Sequence, residues 1–160
     1  MKLLIAYSSR TGTTEKCVNI LKEKLPEAIL VNLRIDKANI DEYDYIIIGS
    51  PIRMGMFPKE VRNFIKKNKE ILKTKKCAYF ICCASNDDYE KFIQSNIPVD
   101  LLDKAVCYDT FGGEYNMENL KGFNKFVISM VKKIAGDKLG EVKIIDENIS
   151  RFIKRIKEGK

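Results

Sequence analysis

The chain has 160 residues, 45% of them hydrophobic and 32% charged, with a net charge of +7 and no histidine. That balance excludes a disordered chain, and no uncharged run reaches the roughly 18 residues a membrane span needs. Histidine-based acid–base catalysis is excluded, and the five cysteines, Cys17, Cys77, Cys82, Cys83 and Cys107, lack C-x-x-C spacing, so no metal site is expected.

The length suits one domain over residues 1–160. Lys2 to Ser8 reads as a first strand. Thr13 to Leu25 reads as a helix with Cys17, Ile20, Leu21 and Leu25 on one stripe and Pro26 just beyond. Ile29 to Ile35 is a second strand, and Tyr45 to Gly49 a third, apolar throughout as a strand buried on both faces would be. Pro58 to Leu72 is a helix with Pro58 in its first turn; Lys76 to Ala84 is a fourth strand, Asp87 to Asn96 a short helix and Ala105 to Phe111 a fifth strand. A basic amphipathic helix follows over Gly122 to Ala135, with Phe123, Phe126, Val127, Met130, Val131 and Ile134 opposite Asn124, Lys125, Lys132 and Lys133, and a last helical stretch runs near Asn148 to Lys157. This alternation predicts an α/β doubly wound five-stranded parallel sheet, in which sites form at the carboxyl ends of the strands. The five cysteines all fall in apolar patterns and are expected as buried free thiols.

The turn Ser9-Arg10-Thr11-Gly12-Thr13-Thr14 sits where the first strand meets the first helix. A helix N-terminus offers N–H groups and the positive end of the macrodipole to an anion, and Ser/Thr hydroxyls add further donors, so a phosphate site is expected there. The alternative is an ordinary turn capped by Ser or Thr. Neither G-x-G-x-x-G nor G-x-x-x-x-G-K-[ST] is present, which argues against NAD and ATP. The S-x-T-G-x-T spacing resembles the phosphate loop of flavodoxins, which implies FMN. A second loop, Pro51-Ile52-Arg53-Met54-Gly55-Met56-Phe57, is unusually apolar for an exposed connection and suits a flat ring, unless it packs on the sheet instead. Its Met54-Gly55 pair resembles the flavodoxin loop whose glycine peptide turns over on flavin reduction. That likeness implies that Gly55 is a redox-linked peptide switch, the alternative being that it only bends the loop.

Taken with G-S-P-I-R-M-G-M-F-P-K-E-V-R-N-F-I-K-K, F-G-G-E-Y and the F-N-K-F-V-I-S-M-V-K-K-I-A-G stretch, the chain resembles the bacterial menaquinone-dependent protoporphyrinogen IX dehydrogenases nearly end to end. The resemblance implies the flavodoxin-like strand order 2-1-3-4-5, with the FMN phosphate on Ser9, Arg10, Thr11, Gly12, Thr13 and Thr14. The ring would lie beside Pro51, Ile52, Arg53, Met54 and Gly55 and beside Ala84, Ser85 and Asn86, with Gly112, Gly113 and Tyr115 in a further loop near the cofactor. The connection from Ser85 to Asp103 departs from that family in being shorter and less basic.

The implied activity is an FMN-dependent dehydrogenase that passes electrons from a small reduced substrate to a quinone or another acceptor, the flavin doing the chemistry. The basic helix could then meet an anionic membrane, or simply pack on the sheet with its lysines in solvent. A flavodoxin-type shuttle exchanging single electrons with redox protein partners is the alternative, and a flavin-free binding module of the same fold is the third reading. Lysines are spread through most predicted helices without interleaved aromatics, so nucleic acid is not expected as a partner. The start of the chain runs directly into a strand, which predicts a cytoplasmic protein, peripheral at most to the inner face of the membrane.

Overall fold

In the computed structural model, which describes residues 2–83, 87–113 and 143–159, five strands form one parallel sheet. They are β1 (Leu3–Tyr7), β2 (Ile29–Asn32), β3 (Tyr45–Pro51), β4 (Lys76–Cys82) and β5 (Cys107–Thr110), in the expected order 2-1-3-4-5. The described helices are α1 (Thr13–Lys24), α2 (Lys59–Leu72), α3 (Tyr89–Asn96), α4 (Val99–Leu102) and α5 (Asp146–Glu158).

Side chains alternate across a strand, so Leu3, Ile5 and Tyr7 of β1 enter the core under α1 and α5, while Leu4 and Ala6 enter the core under α2, α3 and α4. Both faces are covered, which is why β1 and the Tyr45 to Gly49 part of β3 are apolar without a break. The helices answer with stripes at helical spacing: Val61, Phe64, Ile65 and Leu72 on α2, and Ile149, Phe152, Ile153 and Ile156 on α5. Phe80 stacks on Phe111 with ring centres 4.4 Å apart, and Phe152 meets Phe111 edge-on at 5.1 Å. Gly49 keeps β3 thin where this cluster crosses it, since a Cβ there would overlap the Phe80 ring.

Arg151 of α5 grips β5 from the side. Its Nε donates to Asp109 Oδ2 at 3.0 Å and its Nη2 to Oδ1 at 2.9 Å, and Asp109 is only 1% exposed. Asn148 Nδ2 adds a bond to the Thr110 carbonyl at 2.8 Å.

Some boundaries differ from the sequence expectation, each for a local reason. β2 ends at Asn32 rather than Ile35, because the Asn32 side chain accepts the Arg34 N–H at 3.1 Å and its carbonyl accepts the N–H of Ile35 and of Asp36. β3 runs on to Pro51, paired with Cys82, since a proline at the last strand position removes no bond the sheet needs. The short α4, begun by Pro98, was not anticipated. The helix expected over Gly122 to Ala135 lies outside the described residues.

All five cysteines are free and buried, as expected. Burial pushes the Cys77 thiol up to about 11, against a hydrogen bond with Tyr79, and the Cys107 thiol up to about 12, so both stay protonated and inert. Among the described residues, no helix is long and apolar enough to cross a membrane.

Candidate functional site

All five strands run the same way, so the loops after β1, β3, β4 and β5 leave one edge of the sheet. The chain turns from β1 outward to β2 and then crosses back to β3, which makes the β1/β3 boundary the switch point where such sheets place ligands.

The first loop begins with Ser8, whose N–H extends the ladder to the Gly49 carbonyl at 3.1 Å. Gly12 then takes a φ of 94°, a conformation glycine adopts without strain, and stands as the N-cap of α1. The Lys16 N–H donates to the Gly12 carbonyl at 2.9 Å as the first bond of the helix. A capping residue without a side chain overturns the simple Ser/Thr-capped alternative; the nearest substitute is the Ser9 hydroxyl, which accepts the Glu15 N–H at a long 3.4 Å. The first turn of α1 is therefore capped by a glycine rather than by a side chain, with the half-buried Ser9 and Thr11 beside it and Arg10 exposed.

The hydroxyls of this loop are not equivalent. Ser8, 1% exposed, donates to Glu60 Oε1 at 2.6 Å and is spoken for. Thr14, also 1% exposed, is hydrogen-bonded toward the Cys82 thiol, which itself donates to the Cys17 sulfur at 3.8 Å. That bond to Cys17, then burial, raises the Cys82 thiol, and Thr14 opposes them. Ser9 and Thr11 are half-buried and the more accessible hydroxyls of the loop.

The second loop is held at both ends. The Ile52 N–H donates to the Cys82 carbonyl at 3.0 Å, and Arg53 and Met56 exchange both backbone bonds at 3.0 Å. Between them Met54 and Gly55 have φ of 50° and 76°, the paired positive angles of a two-residue mirror-image turn. Met54 is 99% exposed at its tip and Met56 is exposed, whereas Phe57 is buried under α2. Packing on the sheet thus accounts for Phe57 and leaves the two methionines facing outward. Asn96, at the end of α3, clamps the turn by donating from Nδ2 to the Gly55 carbonyl at 2.8 Å and accepting the Phe57 N–H on Oδ1 at 2.7 Å. Sequence reasoning missed this residue, because no local pattern joins positions 41 apart.

Ala84, Ser85, Asn86 and Tyr115 lie outside the described residues. Gly112 and Gly113 follow β5 and are buried; Gly112 has a φ of 73°, and a Cβ there would overlap the Lys143 carbonyl. Its conformation serves the crossing of residues 143–145 over the end of β5, where it pairs with Ile144.

Between the first two loops and the start of α2 lies a cavity of about 490 Å³ that the sequence did not announce. Pro51, Leu33 and Pro58 form part of its wall, and Arg10, Arg34, Arg53, Lys59 and Glu60 bring charge to it. Partial burial, then the neighbouring Arg10 and Arg34 charges, push the Arg53 guanidinium below its ordinary value, with Glu60 opposing. Burial alone would raise the Glu60 carboxyl, but the Ser8 hydroxyl, the helix backbone and the Arg34 and Lys59 charges together hold it below the usual carboxylate range.

Residues 4–140 match the flavodoxin domain. Among curated proteins, the chain is 25% identical to protoporphyrinogen IX dehydrogenase [quinone] of Escherichia coli strain K12, over 98% of this chain and 94% of that protein. Among solved structures, oxidised flavodoxin 1 from Bacillus cereus superposes with a TM-score of 0.59 at 17% identity, covering 98% of each chain. The apo form of an NADH:FMN oxidoreductase gives 0.58 at 14% identity, covering 99% of this chain and 88% of that one. At these identities the two structures speak for the fold.

Proposed function

The chain belongs to the flavodoxin family, and from that premise we propose that it binds FMN and works as a single-electron carrier between redox proteins. The observation that carries the reading is the glycine-capped start of α1, where the first-turn N–H groups and the Ser9 and Thr11 hydroxyls suit a phosphate monoester. Thr13 and Thr14 support that loop from within, and Arg10 adds positive charge at its rim. Bound FMN supplies the redox chemistry. Pro51, Ile52 and Met54 offer apolar surface to a flat ring, and Ala84, Ser85, Asn86 and Tyr115 are proposed to meet it from the neighbouring loops.

Two features favour a carrier. The family is that of the flavodoxins, and the tip of the second loop stands in solvent at Met54, which suits electron exchange at a surface better than turnover in a closed pocket. A second reading, an FMN-dependent dehydrogenase oxidising a porphyrinogen and passing electrons to a quinone at the membrane, is supported by the 25% identity along nearly the whole chain. Anaerobic turnover with protoporphyrinogen IX and a soluble quinone, run beside reduction by a flavodoxin reductase, separates the two. Rapid exchange with the reductase and no porphyrin formation is expected; porphyrin formation at a comparable rate would reverse the order.

Gly55 is proposed to turn its peptide when the redox state changes. Its neighbour Phe92 lies 3.6 Å from where a Cβ would stand, so space is not the obstacle to substitution, but a φ of 76° is. Gly55→Val should lower the potential of the first electron, and Asn96→Ala, which frees the Gly55 carbonyl, should raise it. Potentiometric titration reads both, and identical couples in all three proteins would remove the role.

A further inference from the structure

The charges around the cavity at the switch point do not cancel. Arg10 borders the loop proposed to hold the FMN phosphate, and Arg34, Arg53 and Lys59 supply three further cations against the single carboxylate of Glu60, which is already engaged by Ser8. None of the four cations has an ion-pair partner within 4 Å among the described residues. Crowded, uncompensated guanidinium groups at a concave surface favour an incoming anion.

Exposed apolar side chains stand next to these cations in the chain: Ile35, 79% exposed, follows Arg34, and Met54 follows Arg53. A large apolar side chain beside arginine is the composition of a protein interface, in which Met and Arg are enriched and a polar rim surrounds an apolar centre. Among the described residues the cavity lining has no aromatic on which a base could stack, so a nucleic acid is the poorer match.

We propose that this face, formed by Arg10, Arg34, Arg53 and Lys59 with Ile35 and Met54, is the docking surface for an acidic electron-transfer protein, whose carboxylates enter the cavity beside the two cofactor loops. This rests on the electron-carrier reading and names its partner. One electron passes from the reduced partner to the flavin of this chain, and a proton follows from solvent as needed.

The test uses the FMN-loaded protein and two probes, a small acidic [2Fe–2S] ferredoxin and the basic cytochrome c. Arg34→Glu and Lys59→Glu are combined in one variant, because neither residue belongs to the loops assigned to FMN. Electron exchange is followed by stopped flow at several salt concentrations, and affinity for the oxidised ferredoxin by calorimetry. The parent should bind ferredoxin and exchange electrons faster at low salt; the variant should lose at least tenfold in both affinity and rate while retaining its FMN and its visible spectrum. A variant that exchanges with ferredoxin as fast as the parent, with the same salt dependence, overturns the docking surface and leaves the carrier reading standing. So does a parent that prefers cytochrome c. A parent that exchanges single electrons with neither probe overturns the carrier reading itself.

Discussion

Replacing Ser9 and Thr11 together by Ala is expected to weaken FMN binding by about tenfold or more. Each hydroxyl suits a hydrogen bond to a phosphate oxygen, and such bonds contribute roughly 1 kcal/mol or more apiece, rising toward the upper range when the acceptor is charged. The choice of pair follows from the structure: Ser8 is engaged by Glu60, and Thr14 faces Cys82 inside the core, so substituting either would disturb packing along with the site. Fluorescence titration of the apoprotein with FMN reads the effect. Riboflavin, which lacks the phosphate, should bind parent and variant alike, and an unchanged FMN affinity would remove the phosphate from this loop.

The largest effect on stability is expected at the other end of the sheet. Arg151→Ala leaves the Asp109 carboxylate, 1% exposed, without the three bonds that Nε and Nη2 make to it and with only the Thr110 N–H still donating to it. An uncompensated buried charge costs about 3 kcal/mol or more, the partial exposure of Arg151 placing the effect at the lower end of that range. Urea unfolding should show the midpoint fall with little change of slope. Adding Asp109→Asn should restore part of the loss, since a neutral amide is cheaper to bury than a charge. A single variant as stable as the parent would mean that water reaches Asp109 and the grip of α5 on β5 is incidental.

The fold was legible because its signals are periodic. Apolar runs such as Tyr45 to Ile48 and helical stripes such as Val61, Phe64 and Ile65 report burial on two faces of a parallel sheet, whereas the strand order came from the family resemblance. The strand–glycine–helix turn proposed to hold the phosphate was legible for a related reason: it takes only a few consecutive residues, with Gly12 at the start of α1. What escaped was long-range. Asn96 reaches Gly55, Ser8 reaches Glu60 and Arg34 approaches Arg53 only once the chain has folded, and no local spacing encodes those meetings. Boundaries failed where a side chain competes with the ladder, as Asn32 does at the end of β2. The choice between carrier and dehydrogenase was not legible either, because the same loops serve both. The sequence resemblance pointed to the dehydrogenases, whereas the exposed tip at Met54 and the family favour a carrier.

The central claim is that this chain binds FMN and handles electrons singly, and a stepwise anaerobic reduction followed by visible absorption tests it most directly. The purified protein, supplied with FMN, is expected to show the absorption of a bound flavin and to take up its two electrons at separable potentials. A protein that leaves FMN free in solution, or one that accepts both electrons only together, would contradict the account.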